Sequence, residues 1–102
     1  LKERYIYPAI FTIDDDGITI DFPDLQGCLP CALNMEQAVK NAKEAMALHL
    51  CGMKEDNDEI LEPSALESLQ LEPNQRIFVV EAWMPSFRDK IRNKAVNKFA
   101  MF

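Results

Sequence analysis

Four groups of side chains in this 102-residue sequence have the types and spacing for chemistry. Cys28-Leu29-Pro30-Cys31 matches C-x-x-C, the pattern of a redox dithiol or of half a zinc site. A redox dithiol needs a thiolate stabilised at a helix N-terminus, and the strand-helix unit that should precede it is missing here. A structural zinc site needs a second such pair or a pair of histidines, and neither occurs. His49, the only histidine, has the chemistry of a general base but no Ser or Cys at a nucleophile's spacing. Asp14, Asp15, Asp16, Asp21 and Asp24 are carboxylates enough for two divalent ions. Consecutive aspartates on a turn alternate in direction, however, and do not converge. Arg88, Lys90, Arg92, Lys94 and Lys98 have the charge to contact phosphates, and Phe87, Ile91 and Ala95 recur at i, i+4, i+8. The plainer role for each group is structural: buried thiols at a sheet edge, a partly buried helix histidine, a solubilising turn, and the solvated side of a terminal helix. The residues thus predict no catalytic group, metal or cofactor.

Length and charge narrow the field further. A chain of this size makes one domain with one modest core. No run approaches the roughly 20 apolar residues of a membrane span, and no basic-then-apolar leader opens the sequence. Three cysteines suggest no disulfide framework, so a reducing cytoplasm is expected. The net charge of −6 is unevenly spread. Residues 1–86 hold six of the 11 basic and 16 of the 17 acidic residues, a balance of −10, whereas residues 87–102 carry +4. Such a body repels nucleic acid and attracts a basic partner; the tail does the reverse.

The elements that must position these groups follow from periodicity. Tyr5 to Ile13 and Ile18 to Phe22, joined by Asp14-Asp15-Asp16-Gly17, read as a β-hairpin. Pro8, which cannot donate to a ladder, is expected near a strand end or bulge. Pro23 to Gly27 is a turn-rich break, and Cys28 to Leu33 is a short edge strand. Asn34 caps a helix, with Gln37 three residues on. Met35, Ala38, Val39, Ala42, Met46, His49, Leu50 and Met53 form its apolar stripe, and Gly52 its C′ residue. Lys54 to Pro73 is a long, mobile acidic loop with one helical turn near Ser64 to Leu69. Arg76 to Met84, apolar on both faces, reads as a buried strand beside the first. Ser86 caps a short basic helix from Phe87. The prediction is an α+β fold, β-β-β-α-β with a short C-terminal helix, in which one main helix packs on a three- to four-stranded sheet. Residues 1–86 form the domain, and residues 87–102 a basic helix or linker.

Taken together, several stretches resemble the HicB-like family of antitoxins. They are Tyr7-Pro8-Ala9-Ile10-Phe11, Asp16-Gly17, Phe22-Pro23-Asp24-Leu25-Gln26-Gly27-Cys28, Glu36-Gln37-Ala38, Asn41-Ala42-Lys43-Glu44-Ala45 and Glu62-Pro63-Ser64. The resemblance spans roughly residues 5 to 83 and is specific in combination. It implies a partial RNase H-like fold with sheet order 3-2-1-4. It also implies an antitoxin of a type II toxin–antitoxin system that occludes a small basic toxin of HicA type, an mRNA interferase. Family members often continue into a ribbon-helix-helix or helix-turn-helix domain that binds promoter DNA. Residues 85 to 98 resemble the linker to such a domain, for which the remaining residues leave no room.

An antitoxin that blocks an RNA-handling surface places carboxylates where phosphates would sit. Asp24, Glu36 and Glu44 are the expected toxin contacts; Arg88, Lys90, Arg92, Lys94 and Lys98 are the expected nucleic-acid contacts. A homo-oligomer is expected from the sheet edges and the apolar terminal helix. Two alternatives remain: a metal-dependent nuclease on an RNase H-like scaffold, and a dimeric transcriptional regulatory module. Against the nuclease, Tyr5 to Ile13 contains no Asp or Glu, leaving Glu36, Glu44 and Glu81 without a central partner.

Overall fold

The computed structural model describes residues 3–87. A four-stranded antiparallel sheet is ordered β3-β2-β1-β4, the order that the resemblance implies. Its strands are β1 (Arg4–Asp14), β2 (Gly17–Asp21), β3 (Cys31–Ala32) and β4 (Gln75–Trp83). One helix, α1 (Met35–Glu55), lies on one face of the sheet.

β1 and β2 form the expected hairpin, closing at Asp14 opposite Gly17. Gly17 takes φ 147°, and a Cβ there would stand 2.8 Å from the Ala32 carbonyl oxygen. Glycine is therefore required both by the turn and by the approach of β3. Pro8 is not at an end; it sits mid-strand, opposite Val79. The Ile13 amide donates to the Asn74 carbonyl, and the Glu3 carbonyl accepts from the Met84 amide. Odd-numbered residues of β1 therefore turn their peptide groups to β4, and even-numbered ones to β2. The donor that Pro8 lacks would point to the β2 side, where pairing has already stopped at Ile10 opposite Asp21. A central strand tolerates proline here because no ladder bond is lost.

The core lies between sheet and helix. Tyr5, Tyr7, Ala9 and Phe11 of β1, Ile18 and Ile20 of β2, and Val80 and Ala82 of β4 face Ala38, Ala42, Met46 and Leu50 of α1. The alanines bring the helix axis close, and each large side chain buried contributes roughly 1.5–3 kcal/mol. Asn34 caps α1 as expected, its side chain accepting from the Gln37 amide. The stripe differs at the start of the helix. Met35 and Val39, both on the expected stripe, are exposed; Val39 lies on the side of the buried row.

The helix also runs one turn further than Gly52 suggested. It ends with Asn57 at φ 59°, the Asn57 amide bonding Lys54 and the Asp58 amide bonding Met53. That is a Schellman motif, with asparagine in the left-handed position that glycine usually fills.

β4 also departs from expectation. It pairs with β1 but closes the sheet at an edge. Its residues alternate between faces, so Val80 and Ala82 are buried while Val79 and Trp83 are exposed. Residues 84–87 are helical, so that helix starts before Ser86, whose hydroxyl donates back to the Trp83 carbonyl. The basic residues from Arg88 to Lys98 lie outside the described residues.

Candidate partner-docking site

The segment between β2 and β3 is a knot of two tight turns. The Leu25 amide donates to Phe22, and the Cys28 amide to Leu25. Phe22, Leu25 and Cys28 are thereby buried, and the Cys28 thiol is pushed up to about 11 by burial and by the nearby Asp21 carboxylate. Cys31, by contrast, is exposed and free. Gly27 takes φ 89°, and a Cβ there would lie 3.9 Å from the His49 ring, so the loop rests against the helix.

Asp24 is buried, and both its carboxylate oxygens accept from Ser64, one from the amide at 2.9 Å and one from the hydroxyl. A second pin joins the Tyr7 hydroxyl to the Leu61 carbonyl. Burial, with Tyr5, Glu62 and Asp24 nearby, pushes Tyr7 up to about 12, so the phenol stays a donor at every physiological pH. The acidic segment after α1 is thus fastened at Leu61 and Ser64, and Ile60 packs on the core. It is not a free strap. The expected helical turn is present as a 3-10 turn, Leu66–Ser68.

Between the knot, the end of α1 and this fastened segment lies a cleft of about 920 Å³. α1 contributes Ala45, Leu48, His49, Gly52, Met53 and Asp56, a second face at helical spacing beside the buried one. Gly52 has no heavy atom within 4 Å of where a Cβ would be; it opens the cleft floor. Leu29, Leu48 and Leu61 are exposed apolar walls. Asp56, Asp58 and Glu59 form an acidic rim, and among the described residues no lysine or arginine lines the cleft. The C-terminal end of the helix dipole adds negative potential there. This surface has the chemistry to accept a cationic side chain carried on an apolar segment.

Of the three expected contact residues, only Asp24 lines this cleft, and it is neither exposed nor available, since Ser64 occupies both oxygens. Glu36 is exposed on the first turn of α1, and Glu44 is half-buried further along it; neither lines the cleft. Asp56, Asp58 and Glu59 were missed as site residues, although the acidic run was plain in the sequence. What was not visible there was the pair of pins that makes the run part of an ordered wall.

The nuclease alternative finds no geometry. Glu81 pairs opposite Ile6 on the sheet face turned away from α1, in an ion pair with Arg4 at 3.3 Å. It cannot converge with Glu36 or Glu44 on the helix. Among the described residues, no group of three or more His, Cys, Asp or Glu is placed to hold a metal, and no helix is long and apolar enough to cross a membrane.

Known proteins share this architecture. A chain of a toxin–antitoxin complex from Streptococcus pneumoniae superposes with a TM-score of 0.73 at 20% identity, over 82% of this chain and 72% of that one. A chain of the HicA3 and HicB3 toxin–antitoxin complex gives 0.64 at 24% identity, over 76% and 98%. At these identities the likeness is one of fold. An uncharacterised 14.9 kDa protein of Haemophilus phage HP1, from its rep-hol intergenic region, is 32% identical over 75 residues. That match takes in 74% of this chain but only 56% of the phage protein. Residues 7–92 match the model of the HicB_like antitoxin of bacterial toxin–antitoxin systems. With that match over most of its length, the chain belongs to the HicB-like antitoxin family.

Proposed function

We propose that this chain neutralises a small, basic toxin of HicA type by seating it against the acid-rimmed cleft at the end of α1, without catalysis of its own. The observation that carries this reading is the joining of a largely apolar floor to three rim carboxylates, Asp56, Asp58 and Glu59, with no lysine or arginine among the described residues that line the cleft. A ribonuclease must present a cationic surface to its substrate, and carboxylates held on an ordered wall substitute for the phosphates. The −10 balance of residues 1–86 speeds and orients the encounter, while the apolar floor holds the complex. Asp24 acts by fastening the wall, and Glu36 and Glu44 add only steering.

The test is co-expression with a HicA-type toxin, then co-purification and binding kinetics at two salt concentrations. Replacing Asp56 and Asp58 by Asn and Glu59 by Gln together should slow association about tenfold at low salt and flatten its salt dependence. The Glu36→Gln/Glu44→Gln variant should change it far less. Wild-type kinetics in the triple variant would place the toxin elsewhere.

A further inference from the structure

The segment that walls the cleft has open space behind it as well as in front. A second cavity, of about 280 Å³, lies between this segment and the start of β1, lined by Arg4 to Tyr7 on one side and by Ile60 to Pro63 on the other. Leu61 lines both cavities, so the wall there is a single chain thick. Its three carboxylates are not held alike. The Asp56 amide bonds Gly52 and the Asp58 amide bonds Met53, so α1 itself fixes the backbone of both. Glu59 lies past the last of these bonds. Its place is set from the other end, by Ile60 packed on the core and by the Leu61 carbonyl, which accepts from the Tyr7 hydroxyl. Ser64 follows, held by Asp24 through both its amide and its hydroxyl. Neither Tyr7 nor Ser64 lines the cleft.

We propose that Tyr7 and Ser64 are positioning residues for the toxin, acting through Glu59. Their bonds hold this carboxylate where it stays in contact with bound toxin, while Asp56 keeps its place without them. The proposal rests on the cleft being the docking site. Its physical basis is conformational entropy. A carboxylate on an ordered wall has little freedom left to lose on binding. One on a loosened span must be ordered by the toxin, and that cost is subtracted from the contact. With both hydroxyls removed, the Ile60 packing and the Ser64 amide bond remain, and the cavity behind Leu61 gives the wall room to move. Glu59 then acts on the encounter, at a distance, and contributes little to the lifetime of the complex.

The test is a set of double-mutant cycles on the rate at which the full chain dissociates from a HicA-type toxin. Glu59→Gln and Asp56→Asn should each raise that rate about tenfold in the wild-type background, as expected for one charge-assisted contact. The Tyr7→Phe/Ser64→Ala variant should itself dissociate about tenfold faster, through the loss of the same Glu59 contact. In that background Glu59→Gln should add less than about twofold, and Asp56→Asn its full factor. A purely structural role for the two hydroxyls would weaken both carboxylates alike. Tyr7→Phe alone should show the same pattern in smaller measure. Amide exchange of the free double variant should quicken more at residues 59–62 than in β1. An undiminished effect of Glu59→Gln in the double variant would overturn the proposal, as would unchanged exchange at residues 59–62. If neither carboxylate replacement altered dissociation from the wild-type background, the docking site itself would be wrong, and the proposal would fall with it.

Discussion

At the level of single residues, the roles of the polar groups were set by what they touch. Asp24 and Tyr7 read from the sequence as a surface acid and a sheet aromatic. In the fold each ends on the acidic segment, at Ser64 and Leu61. Removing the phenol should cost the strength of one intramolecular hydrogen bond, about 1 kcal/mol, so Tyr7→Phe should lower the melting temperature by a few degrees. The pH dependence has a definite sign. The folded state raises the Tyr7 pKa from 10.0 to about 12, so it favours the protonated phenol. Its contribution to stability is complete below pH 10 and disappears as pH rises towards 12. Wild type should lose more stability than Tyr7→Phe across that interval, and chemical denaturation at pH 9 and 11 would measure the difference. Equal losses would mean that the phenol ionises without the fold opposing it.

Among the elements, α1 has the most to say. Its buried row is Ala38, Ala42, Met46 and Leu50, and Val39 lies on the same side but uncovered. Ala42→Asp should therefore destabilise by at least about 3 kcal/mol, by placing an unpaired charge in the core. Val39→Asp should stay within about 0.5 kcal/mol of wild type; urea denaturation separates the two. Gly52 sits inside the helix with open space where its side chain would be. Gly52→Ala should stabilise by about 0.5–1 kcal/mol, seen as a higher melting temperature, and a fall would mean that the position is strained. The cap at Asn34 and the hairpin were legible because each is local, whereas the strand order followed from the family resemblance. Where α1 stopped was not legible, since a Schellman motif closed by asparagine carries a weaker signal than one closed by glycine. Nor was the exposure of β4. An apolar strand looks the same in sequence whether a second layer, a partner or nothing covers its far face. The cleft was illegible for a related reason: its rim lies in one segment and its floor in another, and the contacts that unite them, Tyr7 to Leu61 and Asp24 to Ser64, span 54 and 40 residues.

For the molecule as a whole, the division of charge and shape fits a protein whose work is contact. The triple replacement at Asp56, Asp58 and Glu59 tests this at long range, because its effect on association should shrink as salt rises. The strand order carries a separate consequence, for the time at which the molecule comes into being. Of the described strands, β1 is made first and stands in the middle of the sheet, and its second neighbour is β4, the last of them, with Arg4 opposite Trp83. A growing polypeptide can close the β1–β2 hairpin early, but it must wait for residues 75–83 before the other side of β1 is covered. Until then Tyr5, Tyr7 and the open edge of β1 are exposed. Such sequence-distant pairing makes folding slow relative to helical proteins of equal size and leaves the nascent chain open to wrong partners. The four-stranded sheet is therefore complete only once β4 has been made.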